Sequence, residues 1–203
     1  MRRFLAELKK QRWDDHRYYH HSRINQTLHL GSALSFLAAY VAVFTDPAAA
    51  VLIGWLFAMV SRQVGHFFFE PKDYDTVNQV THEHKEQIKV GYNLRRKIVL
   101  LSIWAVLPVL LSVEPAFFGV FPHSTGRTDF LRHLCQLWLA LGLGALLFRT
   151  TQLAVEQSVL TGLVWFTKIL TDPFHDIKLY CRAPLHLLRG ELLDPLEDVV
   201  HHA

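Results

Sequence analysis

Four stretches of the chain, 25–44, 48–69, 98–113 and 131–148, are almost continuously apolar. Their lengths approach the roughly 20 residues that a bilayer-spanning helix requires. The polar positions fall between them and mark the turns. Asp46-Pro47 separates the first two stretches; Asp suits a helix N-cap and Pro the first helical position, so the pair predicts a tight helical hairpin. Pro108 predicts a kink in the third stretch, and residues 121–128, with Pro122 and Gly126, a loop. A fifth run, 151–170, is interrupted by Glu156, Gln157 and Lys168 and predicts a re-entrant or interfacial helix rather than a crossing. The expected fold is therefore an all-α polytopic membrane bundle of four transmembrane helices plus this fifth segment. Residues 1–24 form an N-terminal segment, 25–170 the bundle and 171–203 an amphipathic tail.

Composition agrees with this pattern: 51% of the 203 residues are hydrophobic and the net charge is only +3, which makes a nucleic-acid partner a poor expectation. Charge position is more informative than the total. Seven Lys/Arg precede the first stretch, seven lie from Arg62 to Lys97, and none separates the first two stretches. By the positive-inside rule the N-terminus, the second connection and the tail face the cytoplasm, in the inner membrane of a bacterium or the endoplasmic reticulum of a eukaryote. Residues 1–25 lack the apolar core of a cleavable signal. Cys135 and Cys181 form no CxxC pair and read as structural thiols. Internal repeats, a phosphate-binding glycine loop and a GxSxG elbow are all missing.

Histidines carry the candidate chemistry. In Tyr18-Tyr19-His20-His21, followed by Asn25 and His29, the spacing of four puts His21, Asn25 and His29 on one helical stripe, with His20 pointing elsewhere if the helix includes it. An imidazole inside a span needs a partner. A second group, Arg62-Gln63-Val64-Gly65-His66 with Glu70, puts Arg62, His66 and Glu70 on one face, and Gly65 permits close approach. The short hairpin brings the start of the first span and the end of the second to the same membrane side. Several neutral imidazoles with a carboxylate suit iron, zinc or copper, and a structural hydrogen-bond network competes with that reading. A third group, Asn78, His82, Glu83, His84 and Glu86, places Asn78, His82 and Glu86 at helical spacing on a charged connection; it adds ligands or a second metal, or is a solvated face. His16, His123, His133, His175, His186, His201 and His202 are scattered and read as surface or packing residues, with His175 beside Asp176 the one outlier.

The blocks Tyr19-His20-His21, Asn25, His29, Gly54-Trp55, Val64-Gly65-His66 and Phe69-Glu70 resemble those of the fungal-type 2-hydroxy-fatty-acid dioxygenases. The resemblance covers roughly residues 18–70. Arg62 stands where that family tends to carry Gln, and Pro71-Lys72-Asp73-Tyr74 replaces its usual Pro-Ala stretch, as in a divergent branch. The resemblance implies Fe(2+)-dependent oxidation of a 2-hydroxy fatty acid to an acid one carbon shorter. It implies metal ligands among His20, His21, His29 and His66, with Asn25 and Glu70 fixing imidazole tautomers. A di-metal lipid hydroxylase or desaturase, which would recruit His82 and His84, and a non-enzymatic membrane scaffold are the alternatives.

Overall fold

The computed structural model describes residues 1–76, 78–123 and 126–196. Over these residues the chain is helical, with no β-strand. The elements run α1 (Arg2–Tyr19), α2 (Arg23–Ala42), α3 (Pro47–Leu52), a π-helical segment (Ile53–Met59), α4 (Val60–Phe68), α5 (His82–Ile88), α6 (Leu94–Val113), α7 (Arg127–Glu156), α8 (Val159–Tyr180) and α9 (Ala183–Leu188). Asp46 caps α3 as expected, accepting from the amides of Ala48 at 3.1 Å and Ala49 at 3.0 Å, with Pro47 at the first helical position. The continuous helix Pro47–Phe68 packs back along α2 through both its π and α4 portions.

Among the described residues, three helices are long and apolar enough to cross a membrane: Pro47–Phe68, Leu94–Val113 and Arg127–Glu156. Only 11% of the apolar window of α6 is buried inside the protein; Ile98, Val99, Ile103, Val106, Val109 and Val113 are all exposed, a face suited to lipid rather than water. The expected first span coincides with α2, which is as long but less apolar. Its polar residues Asn25, Gln26, His29 and Ser32 are fully buried, so α2 is a core helix of the bundle, enclosed by α4, the π segment and α8.

The fifth run is not one segment. Residues 151–156 complete α7, the chain breaks at Gln157-Ser158, and α8 continues to Tyr180. Ser158 sets the break by accepting from the Thr161 amide at 3.0 Å. The boundary expected at 170 thus falls inside α8, where Lys168 and Asp172, one turn apart, pair at 2.6 Å across it. α6 passes through Pro108 without interruption. In the tail, α9 is followed by an extended stretch that returns to the start of α2: Arg23 N–H donates to the Leu192 carbonyl at 2.9 Å and Asp194 N–H to the His21 carbonyl at 2.8 Å. His201 and His202 lie outside the described residues.

Two contacts set the geometry of the bundle. Trp55, Leu107, Leu111, Leu134 and Trp138 form the apolar core that joins the π segment to α6 and α7. Inside it Trp55 Nε1–H donates to the Trp138 carbonyl at 2.9 Å and Trp138 Nε1–H to the Trp104 carbonyl at 3.2 Å, giving these two indoles the partner that burial requires. The second contact is the crossing of α7 and α8 at Gly162. A Cβ there would stand 2.6 Å from the Thr150 carbonyl oxygen and 3.2 Å from Ala154. Gly162→Leu should therefore push the two helices apart and cost about 1–3 kcal/mol, read as a lower melting temperature in detergent. An unchanged melting temperature would show that this crossing does not set the packing.

Candidate metal centre

The site begins with a break in the helix. α1 ends at Tyr19, Ser22 caps α2, and His20-His21 lie between them, outside both helices. The first turn of α2 holds this corner. Asn25 Nδ2 donates to the Tyr19 carbonyl at 2.8 Å and Gln26 Nε2 to the His20 carbonyl at 2.8 Å. Because the chain turns here, the helical stripe expected for His21, Asn25 and His29 does not form, and it is His20 that swings inward. The His20 ring centroid lies 4.1 Å from that of His29 and 5.3 Å from that of His66, and His29 and His66 are 4.9 Å apart. One nitrogen of each ring lies within 4.8 Å of those of the other two.

The remaining nitrogens are oriented from outside. His29 Nδ1–H donates to the Asn25 carbonyl at 2.9 Å, and His66 Nδ1–H to Glu70 Oε2 at 2.8 Å. Neither acceptor can donate, so both rings keep their Nε2 lone pair free. His20 Nδ1 meets the Tyr180 hydroxyl at 2.8 Å, and that hydroxyl also meets His16 Nδ1 at 3.2 Å. With His20 donating to Tyr180 and Tyr180 donating to His16, the third Nε2 is free in the same sense. Nε2 of His20 and of His29 is buried without a hydrogen-bond partner. Burial also depresses the His20 pKa well below the ordinary imidazole range, which keeps the ring neutral.

Close approach of α4 to α2 rests on Gly65. A Cβ at this position would run into Asn25 Oδ1 and lie 3.4 Å from the His29 ring, so a side chain here must displace the Asn25 amide, and a branched one crowds His29 as well. Around the cluster α8 and α1 contribute paired charges. Arg62 pairs with Asp176, Arg12 with Asp172 at 3.2 Å, and Lys168 with both Asp15 at 2.9 Å and Asp172 at 2.6 Å. Burial works against the Asp15 charge, but Lys168 outweighs it and holds the carboxyl below the usual carboxylate range.

The other expected residues lie elsewhere. His21 Nε2 packs on the Arg17 carbonyl and is 3.9 Å from Asp75 Oδ2, outside the three-ring group. Asn78 precedes α5, so it does not share a helical face with His82 and Glu86; its Nδ2 donates to the Arg17 carbonyl at 3.0 Å. His84 is exposed. His82 faces the small cavity that His66 also lines, with Glu70, Lys89 and Lys97, but it is not in the cluster. Asn25 and Glu70 do sit where they orient His29 and His66. His175 borders a second cavity beside His20 and Tyr180, His133 stacks on Phe121 at 4.3 Å, and His186 bonds Glu191 at 2.6 Å.

Sequence reasoning missed Tyr180 and the α8 charges. The spacing of four in Lys168, Asp172 and Asp176 was an available signal of a polar stripe facing the site. The arrangement as a whole offers three neutral, pre-oriented imidazoles to one metal ion. No protein-family model matches the chain, and no curated protein or solved structure is detectably similar to it.

Alanine at His20, His29 or His66 should each reduce metal per protein by about an order of magnitude or more, while His21→Ala retains it; metal analysis of the purified variants decides. Gly65→Val should fall with the first group. Full metal retention in His29→Ala, or loss in His21→Ala, would refute this ligand set.

Proposed function

We propose that the protein is a membrane iron dioxygenase that converts a 2-hydroxy fatty acid to the acid one carbon shorter. The observation that carries this reading is the set of three imidazoles with outward Nδ1 bonds and two orphaned, buried Nε2 atoms. That donor set suits a divalent transition metal and leaves positions open. The resemblance of the Tyr19-His20-His21, Asn25, His29 and Val64-Gly65-His66 blocks to the 2-hydroxy-fatty-acid dioxygenases supports iron and the substrate class. The apolar exterior beside a polar centre supports an amphiphilic substrate.

The reaction balances without an outside reductant. Cleavage of the bond between the carboxyl carbon and the hydroxyl-bearing carbon yields the shorter carboxylic acid, carbon dioxide and water. The substrate releases four electrons, and one dioxygen takes up four. Fe(2+) held by His20, His29 and His66 would supply coordination positions for the hydroxy acid and dioxygen together. The chain's own part is orientation and exclusion of water. Glu70, Asn25 and Tyr180 fix the three rings, and Gly65 sets the helix spacing that lets them meet. A di-metal hydroxylase or desaturase needs more imidazoles and two external electrons; the exposure of His84 weighs against it.

Anaerobic purification and metal analysis should give one iron per chain. Incubation with a 2-hydroxy fatty acid and oxygen, with no added reductant, should then give the acid one carbon shorter and one dioxygen consumed per product. Metal-free but correctly inserted protein would favour a scaffold; two metals and a reductant requirement would favour the di-metal enzyme.

The same reading puts the 72–93 connection on the cytoplasmic side. In a background lacking Cys181, an Asp73→Cys variant should label from the cytoplasm and a Pro122→Cys variant from the opposite side. The reverse pattern would invert the topology.

A further inference from the structure

Lys97 lies in the first turn of α6, is only 8% exposed, and borders the cavity that His66 lines. Among the described residues no carboxylate pairs with it. The two acidic residues of the cavity are engaged otherwise. Glu70 bonds His66 at 2.8 Å and Lys89 at 3.2 and 3.3 Å; Glu86 bonds Lys89 at 3.1 Å and accepts from the Leu94 amide at 2.7 Å. Lys72 is also at the rim, so three lysines face two glutamates that share one of them. A largely buried amine that no carboxylate pairs is costly to charge without an added anion, and it borders the same cavity as His66 and Glu70.

From this placement we infer that Lys97 is the anchor for the carboxylate of an amphiphilic acid, held in the cavity between α4, α5 and α6 beside His66. The inference rests on the dioxygenase reading and deepens it by naming the residue that selects the acid head group. Three lysines against two glutamates leave one surplus positive charge around the cavity, which a monoanion balances and a more highly charged phosphate overshoots. The tail then leaves towards the exposed apolar face of α6, where Ile98 and Val99 lie next to Lys97 in sequence. Lys89 is unsuited to the task, because its ammonium is held by Glu70 and Glu86 and lies 3.7 Å over the Tyr19 ring.

The test measures dissociation constants in detergent, by displacement of a fluorescent fatty acid, for a long-chain 2-hydroxy acid and its methyl ester. Wild type, Lys97→Met and Lys97→Arg are compared, with metal content and melting temperature of each. The acid should bind wild type and the ester should not. Lys97→Met should weaken the acid by about tenfold or more, keep its metal, and melt no lower than wild type when ligand-free. Lys97→Arg should retain most of the binding and guards against a Met variant that fails to insert. Equal binding of acid to Lys97→Met and wild type, equal binding of acid and ester, or competition by inorganic phosphate at the same concentration as by the acid would each overturn the inference. The two readings separate cleanly. If wild type binds the acid through Lys97 but forms no shortened product, the anchor stands and the oxidation fails. If the shortened product forms with the same KM in Lys97→Met, the oxidation stands and the anchor fails.

Discussion

Three imidazoles meet in the interior because the backbone breaks once and because one residue lacks a side chain. Had α1 continued into α2, His20 would have followed the helical phase and faced away from His29. The corner from His20 to Ser22 is held by side-chain bonds from Asn25 and Gln26 to the carbonyls of Tyr19 and His20, and the returning tail closes it from outside through Leu192 and Asp194. Gly65 supplies the complementary condition on the other helix. Everything else near the site is arranged to keep these two approaches in register: Asn25 serves both, bonding the corner through Nδ2 and abutting Gly65 through Oδ1.

Burial of so much polarity also determines which helices can meet lipid. α2 carries Asn25, Gln26, His29 and Ser32 inward, and α8 carries Lys168, Asp172 and Asp176 inward; neither stripe is tolerable against hydrocarbon. They are placed against each other and against α1 and α4, where Arg12 and Asp15 of α1 and Arg62 of α4 complete the ion pairs. α6 and α7 keep Lys97, His133 and Arg149 inside, present apolar faces outward and are anchored to the rest through the tryptophan cluster. Protein-facing polar helices and lipid-facing apolar ones thus divide the work of solvating the site and holding it at the membrane.

Much of this was legible in the sequence where the signal was local. The Asp46-Pro47 cap, the hairpin, the apolar runs of α6 and α7, the proximity of Gly65 to a histidine-bearing helix and the placing of His66 and Glu70 one turn apart on one face follow from spacing and residue type. What was illegible depended on where one helix stops. A four-residue stripe from His21 to His29 assumes an unbroken helix, and the polar-to-apolar change at His20–Ser22 resembles an ordinary membrane boundary until the caps are seen. The fifth apolar run has the same difficulty, since Gln157-Ser158 divides two helices that hydropathy merges. Tyr180 was invisible for another reason: its partners, His20 and His16, lie at the far end of the chain, and no local period marks it.

The cluster itself argues against a purely structural role for its histidines. In a hydrogen-bond scaffold, one imidazole's N–H would face its neighbour's lone pair, and the rings would satisfy one another. Here the Asn25 carbonyl and the Glu70 carboxylate draw the Nδ1 protons of His29 and His66 outward, so the inward nitrogens of these two rings are acceptors, and that of His20 joins them when its Nδ1 donates to the Tyr180 hydroxyl. Three converging lone pairs in a site of low dielectric repel, and a proton can relieve the repulsion only between two of them, at the expense of a buried charge. A divalent cation relieves all three at once and receives three neutral ligands already in the tautomer that it requires. Orientation of the outer nitrogens, more than the number of histidines, is therefore what makes this cluster one that could hold a metal ion rather than a self-satisfied polar core.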